Sequence, residues 1–441
     1  MKKLLMLSRY FAPQNEIGAV RPTKLAKYLQ LENGFSVSVL TCEDDFALRD
    51  SLLEADARVL SEVIQVSDGP LTRALKRFFQ ERSAKKAAKV PAGGGAAVTL
   101  VKESPSLAER LMANLNFIQE WLRNREYSRR LYKEIKPRLG EFDALWSTYS
   151  PIGCHLAALC CKRARRELFW IADYRDQPYR KKPGLLSEKI QSAANSRAVL
   201  KNADLITCAS PGIPADMGWS GDKIQIMTNG FDADDFPKGT REPLEKLTIT
   251  YTGGFYVEWQ DPGELLRALR ELADEGEVSL EKVEICYAGK EGAVLAKRAA
   301  DYGLKGIVRD LGPLDRAEST ALQARSALLF LVAVNMKSER SGMLTGKFLE
   351  YMGAGRPIVA CIKGELENSI VKRYIDEGAL GFCCEEAAGD ASFTGLKRWL
   401  KAQYESVLKT GEPVFEPDRD FVESFNYKSL AKRLAAYFEK T

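Results

Sequence analysis

The strongest constraint on what this chain can fold into is an alternation of strand-like and helix-like segments that runs twice, with one polar joint between the runs. Apolar stretches at Lys3–Ser8, Phe35–Thr41, Asp143–Thr148 and Leu168–Asp173 have the length and composition of strands. Helical spacing follows the first of them, with Leu25, Ala26 and Leu29 on one face. Strands that alternate with helices make a parallel sheet covered on both faces, and such sheets bind ligands at the carboxyl edge of their strands. A chain of 441 residues is too long for one such core. The expected fold class is therefore α/β, with two Rossmann-like parallel-sheet domains facing across a cleft.

Further units in the first run are the helix Leu156–Arg166, the helix Leu185–Lys201, the strand Asp204–Cys208 and the strand Lys223–Met227. Leu107–Leu139 reads as one long or broken helix, and residues 44–104 are the least regular part. Thr228–Asp232 is a turn signal, and Asp234–Lys246 is polar with two prolines, so the domain joint falls there. The divisions are an N-terminal domain over 1–235, a C-terminal domain over 236–412, and a helical tail over 413–441 that crosses back to the first domain. The second run carries strands at Leu247–Tyr251, Val283–Tyr287, Gly306–Asp310, Leu328–Val334 and Ile358–Ile362, then helices near Leu366–Asp376 and Phe393–Leu408.

Composition removes several functions. No apolar segment is long enough to span a bilayer, and MKKLLMLSRYF reads as a first strand, not a signal peptide. Nine cysteines lack paired metal spacing, which implies a reducing compartment and a cytoplasmic protein. A single histidine, His155, excludes a His-rich metal site. The net charge of +5 is too small to argue for nucleic acid. Its distribution is uneven: residues 1–240 hold 37 basic and 28 acidic side chains, and the remainder 28 and 32. Arg73–Lys89 holds seven basic residues and one acid, with Leu71, Leu75, Phe78 and Phe79 on one helical face. That segment is a candidate for peripheral contact with an anionic membrane surface at the inner face of the cell membrane. Its short apolar face favours the alternative, an excursion packed on its own domain.

The stretch with most chemistry is Gly342–Pro357, GMLTGKFLEYMGAGRP, framed by the strands at Leu328 and Ile358. Thr345 and Gly346 start a helix, whose first N–H groups point outward and bind anions. Lys347 adds a cation, and Glu350 can accept hydrogen bonds from the hydroxyls of a ribose. Gly253 and Gly254 let phosphates approach the backbone. In the first run, Gly18 and Arg21 form one polar loop, Ser150–His155 a second, and Asp173–Asp176 a third. His155 is a candidate for base abstraction or sugar binding, set against a core role. Asp173, Arg175 and Asp176 compete for the same chemistry, set against an internal Arg–Asp pair. Arg21 binds phosphate or pairs with an acid. The loop near Gly18 lacks the three-glycine fingerprint of nicotinamide cofactors.

The order of these pieces resembles the retaining glycosyltransferases of the GT-B fold, family 4 type. The resemblance covers nearly the whole chain, least well residues 44–140. It rests on SRYFAPQNEIGAVRPTKLAKYL, STYSPIGCHLAAL, ADYRDQP, ADLITCASPGI, KIQIMTNGFDADDF, YTGGFY and, above all, TGKFLEYMGAGRPIVA. It implies a nucleotide-diphosphate sugar as co-substrate on the C-terminal domain and a glycan or lipid-linked acceptor on the other. It also implies no cofactor and no metal. The family pairs two glutamates; Glu350 matches the second, and with seven residues between, the first falls on Gly342, leaving the hexose contact to Glu339 or Ser341. Where the family often carries a basic pair for the diphosphate, this chain has Val257-Glu258-Trp259-Gln260, so Lys347 with the N–H groups of Thr345 and Gly346 stands in for that pair. Two alternatives remain at this level: a nucleotide-sugar 2-epimerase of the same fold, and a non-catalytic nucleotide-sugar-binding or scaffold protein.

Overall fold

A computed structural model describes residues 1–43, 48–77, 107–178, 186–239, 241–254, 260–335 and 345–439. Seven strands form the first sheet: β1 (Lys2–Leu7), β2 (Phe35–Cys42), β3 (Glu62–Val66), β4 (Ala144–Tyr149), β5 (Phe169–Tyr174), β6 (Leu205–Cys208) and β7 (Ile224–Ile226). Their order across the sheet is β3-β2-β1-β4-β5-β6-β7, all parallel. The second sheet holds β8 (Leu247–Thr252), β9 (Val283–Ala288), β10 (Val308–Asp310), β11 (Leu328–Val334), β12 (Ile358–Lys363) and β13 (Gly381–Glu385), in the order β10-β9-β8-β11-β12-β13, again parallel.

Each sheet reverses its direction of growth once, between β1 and β4 in the first and between β8 and β11 in the second. A crevice opens at such a reversal, beyond the carboxyl ends of the strands. The central strands are apolar on both faces because helices cover both: Leu4–Leu7 and Leu328–Val332 are buried throughout. The α/β fold class expected from the alternation, with two parallel sheets, is the one observed. Two edge strands, β3 and β13, were not apparent in the sequence. β3 lies in the stretch expected to be irregular, and its first three residues, Glu62–Ile64, are only half-buried. β13 is Gly-Phe-Cys-Cys-Glu, a short segment without β-branched residues.

The chain crosses between the domains twice, side by side. On the way out, Gly230-Phe231 enters the C-terminal domain; on the way back, Phe425-Asn426 leaves it. Phe231 N–H donates to the Phe425 carbonyl at 3.0 Å, and Tyr427 N–H donates to the Phe231 carbonyl at 2.8 Å. The tail helix Tyr427–Glu439 then packs Leu430, Leu434 and Phe438 into the same apolar cluster as Leu25, Leu29 and Phe35 of the N-terminal domain.

Gly230 is where the two crossings touch. A Cβ there would stand 2.2 Å from the Phe425 carbonyl oxygen, and that backbone cannot retreat without breaking the paired linkers. Gly230→Val is expected to destabilise the protein by about 2 kcal/mol or more through this overlap. Urea or thermal unfolding checks it, with Gly140→Val as the control, since nothing crowds a Cβ at Gly140 and its φ is not positive.

Candidate functional site

At the carboxyl edge of the second sheet a glycine turn faces the start of a helix. β8 ends in Gly253, whose φ of +92° favours glycine. Gly253 N–H donates to the Ala288 carbonyl at 2.7 Å, and Tyr287 Oη donates to the Gly253 carbonyl at 3.1 Å. Opposite this turn begins the helix Gly346–Ala354. Thr345 caps it, accepting from Phe348 N–H at 3.3 Å, so the N–H groups of Gly346 and Lys347 are left outside the helical ladder. Phe348, Leu349 and Met352 anchor the far face of that helix in the core. At Gly353 a Cβ would lie 2.6 Å from the Phe231 and Phe236 rings, so the helix packs directly on the outgoing linker.

Lys347 bridges the two loops. Its Nζ lies 3.6 Å from the centroid of the Tyr251 ring and donates to the Gly254 carbonyl at 3.4 Å. Burial pulls its pKa down to about 7, with Glu350 and Glu291 pulling the other way. It is thus a cation short of counter-charge, poised to gain from an anion. Glu350, one turn along, accepts a short hydrogen bond from Gln323 Nε2. Gln323 is fully buried and also donates to Thr252 Oγ1 at 2.9 Å, which fixes the carboxylate against β8.

Across the cleft stand residues of the N-terminal domain. Arg175 lies with its guanidinium carbon 5.2 Å from the Tyr10 ring centroid; its Nε is 3.2 Å from Asp176, and Nη2 is 3.4 Å from the Ser150 carbonyl. Asp176 is half-exposed at the rim. Gly18 faces this arginine: a Cβ would come within 2.1 Å of Arg175 Nη1. The absence of a side chain at Gly18 therefore makes room for a guanidinium.

Three other expected site residues, Asp173, Arg21 and His155, are buried. Asp173 is fully buried and accepts from Arg21 Nη2 at 2.7 Å, Arg21 Nε at 3.1 Å, Thr207 at 2.6 Å and Thr148 at 3.1 Å. Arg21 is spent on Asp173 and on the carbonyls of Thr228 at 2.6 Å and Met227 at 2.9 Å, so it clamps the first helix, Ile17–Glu32, to β5 and to the linker. The internal ion pair is the arrangement found, and Arg21 also reaches the wall of the inter-domain cleft. His155 lies in the core, fully buried, with Nδ1 2.8 Å from Ser147 Oγ and the Tyr174 ring edge-on at 4.7 Å. Burial lowers its pKa to about 3, so it stays neutral. It is absent from the cleft walls because its helix turns that face toward β4 and β5.

The cleft has two joined lobes. One, about 700 Å³, lies between the domains and is lined by Gly18, Arg175, Asp176, Thr345, Lys347 and Glu350 among others. The second, about 550 Å³, lies over the carboxyl ends of β8 and β9 and is lined by Lys290, Glu291, Asp315, Arg316 and Glu350, with Asn15 reaching in from the N-terminal domain. Arg316 lines both lobes and was missed from sequence. The signal available was the capping box Asp315-x-x-Glu318, which places it on the first turn of a helix beyond a strand's carboxyl end. Its guanidinium holds Asp235 at 3.2 Å.

Asp235 belongs to a buried cluster that joins the domains. Lys24, fully buried, contacts Asp56 at 2.6 Å, Asp232 at 2.7 Å and Asp235 more closely still. Lys27 adds contacts of 2.9 Å to Asp56 and Asp232. Burial pushes the Asp232 carboxyl up, but Lys24, Tyr28 and Lys27 more than offset it, and it stays below the usual carboxylate range. Asp56, Asp232 and Asp235 come close enough to hold a metal ion, yet the Lys24 ammonium already sits among them.

Gly342, Glu339, Ser341 and Val257–Trp259 lie outside the described residues. Gln260 is described, and accepts from Tyr251 Oη at 3.2 Å.

Solved structures of similar fold cover the whole chain. Sucrose-phosphate synthase from Thermosynechococcus elongatus aligns over 100% of this chain and 99% of its own, with a TM-score of 0.56 and 12% identity. A UDP-forming α,α-trehalose-phosphate synthase from Burkholderia xenovorans gives 0.56 at 11% identity, over 100% and 99%. A putative UDP-N-acetylglucosamine 2-epimerase from Listeria monocytogenes gives 0.53 at 14% identity, over 100% and 98%. The fold is GT-B. At these identities the likeness concerns the fold. No family model matches the chain, and no curated protein does.

The GT-B cleft makes one titration visible. Lys347 should react with a neutral amine-selective reagent half-maximally near pH 7, whereas exposed lysines do so near their ordinary value of about 10.4. Peptide mass spectrometry across a pH series checks it. Because an anion stabilises the ammonium, a bound phosphodiester should shift the Lys347 midpoint upward.

Proposed function

We propose that this protein is a glycosyltransferase that moves a hexose or amino-hexose from a nucleotide-diphosphate sugar to a glycan or lipid-linked acceptor. The reading places it in the cytoplasm, in cell-surface polysaccharide or glycoconjugate biosynthesis. One observation carries it: an outward helix N-terminus, a desolvated lysine and an oriented carboxylate meet at the reversal point of one sheet, facing an arginine and an aspartate of the other domain.

The roles follow from charge. The diphosphate lies over Gly253 and Gly254, accepting from the N–H groups of Gly346 and Lys347 and from the Lys347 ammonium. Glu350 accepts from the ribose hydroxyls, held in place by Gln323. The nucleoside occupies the lobe between Asn15, Glu291 and Arg316. As the bond from the anomeric carbon to the phosphate oxygen lengthens, negative charge gathers on the diphosphate. The fixed donors stabilise that charge more than they stabilise the ground state. The reading needs no metal, because the lysine and the helix N-terminus supply the positive field. The acceptor hydroxyl enters from the side of Arg175 and Asp176, on the face the diphosphate leaves. The departing phosphate oxygen takes its proton, which gives retention. The resemblance to family 4 supports that stereochemistry and the absence of a cofactor.

Glu350→Ala removes two hydrogen bonds to a charged acceptor, each worth about 1.5–3 kcal/mol. Affinity for a nucleoside diphosphate, measured by titration calorimetry, should fall about a hundredfold or more, while the melting temperature stays within a few degrees. Unchanged binding and turnover would defeat the assignment. Conversion of the nucleotide sugar without an acceptor would replace transfer by 2-epimerisation. Binding without turnover across an acceptor panel would leave a nucleotide-sugar-binding protein.

A further inference from the structure

Among the described residues, the helix Leu107–Ile135 carries a face that is left exposed. Its inward side packs Phe117, Asn124, Tyr127, Leu131 and Ile135 against the N-terminal domain. Its outward side begins with Leu111, Leu115, Ile118 and Leu122, spaced by three or four residues and therefore in one row. These side chains are 57%, 51%, 38% and 45% exposed, among the most exposed large apolar residues described. Arg125, Arg129 and Lys133 continue the same row with the same spacing, and all three are exposed. None of the seven is acidic. Glu126, the nearest acid, is turned aside to accept from Thr72 N–H at 2.9 Å and Thr72 Oγ1 at 2.7 Å.

The position of the row is as informative as its chemistry. The chain leaves this helix at Ile135 and enters β4 at Ala144, so helix and strand run in opposite directions. Gly153, just past the carboxyl end of β4, packs on Asn124: a Cβ there would stand 3.1 Å from the Asn124 carbonyl oxygen. Residues N-terminal to Asn124 therefore extend past the carboxyl edge of the sheet, on the side where the cleft opens. From Asn124 to Leu111 the overhang is about 20 Å.

We infer that this outward row docks the protein on an anionic lipid surface, with Leu111–Leu122 seated in the acyl boundary and Arg125, Arg129 and Lys133 on the headgroups. Charge complementarity selects the occupant. A row that is apolar at one end and basic at the other, without an acid, matches a surface that is apolar below and anionic above. It differs from the segment 71–89 that the sequence suggested: residues 70–77 are helical, and Phe78 to Lys89 lie outside the described residues. The inference is independent of glycosyl transfer, since its readout is lipid binding, not turnover.

The test is co-sedimentation of the full chain with phosphatidylcholine vesicles that do or do not contain about one-third phosphatidylglycerol. The expected result is binding to the anionic vesicles alone, weakened at least tenfold by Leu115→Glu with Leu122→Glu and likewise by Arg125→Glu with Arg129→Glu. All four side chains are exposed, so both variants should keep the wild-type melting curve. No binding by the wild type overturns the inference, as does binding that both variants retain. A dimer by light scattering that L115E/L122E converts to monomer, without lipid dependence, gives the row to a second copy and also overturns it.

Discussion

Two lysines kept charged where water does not reach hold the cleft in shape. Lys24 and Lys27 project from the first helix into a group of carboxylates supplied by Asp56 on a neighbouring helix and by Asp232 and Asp235 on the linker. Arg316 takes the remaining oxygen of Asp235 from the C-terminal domain. Removing one member of such a group strands the others, which costs about 3–5 kcal/mol where the pair is buried. The cluster therefore acts as a unit: it sets where the linker leaves the N-terminal domain and how Arg316 enters both lobes. Arg21 and Asp173 repeat the device one layer nearer the sheet, with carbonyls of Met227 and Thr228 as further acceptors. The joint is thus a polar core, and the ligand-facing groups are mounted around it.

This explains which parts of the site were legible in the sequence. The two sheets were, because apolar runs at strand length alternate with helical spacing, and a covered parallel sheet needs that pattern. The helix start at Thr345 was, because a capping residue and a glycine after an apolar strand mark such a turn. The polar residues of the first sheet's carboxyl edge were harder. Sequence position puts Arg21, His155 and Asp173 near that edge but says nothing about which way each turns. The structure turns all three inward, where hydrogen-bonding partners await Arg21 and Asp173, and an aromatic cage of Tyr149, Trp170 and Tyr174 surrounds His155. Arg175 and Asp176, one turn later in the same loop, remain at the surface of the cleft. Distance along the chain gave no hint that Gly18 and Arg175 are neighbours, so the meaning of that glycine was hidden.

Nor could spacing reveal that Gln323 locks Glu350, since the two lie on separate helices and meet only when β8 and β11 become neighbours. Pairings of this sort are set by topology, and a reading of local pattern stops short of them. The outward row on Leu107–Ile135 shows the reverse limit. Its periodicity is visible in the sequence, but an apolar row is ordinarily buried, and only the packed structure shows which of the helix's faces was left over.

The tail helix carries a consequence for the order in which the protein is built. Leu430, Leu434 and Phe438 complete an apolar surface whose other members, Leu4, Leu25 and Phe35, precede the whole second domain in the chain. The second sheet and its helices are encoded without interruption between Leu247 and Thr410. A ribosome thus delivers the second domain before it delivers this helix. The first domain waits, with part of its core open to water, until the last turn of helix emerges.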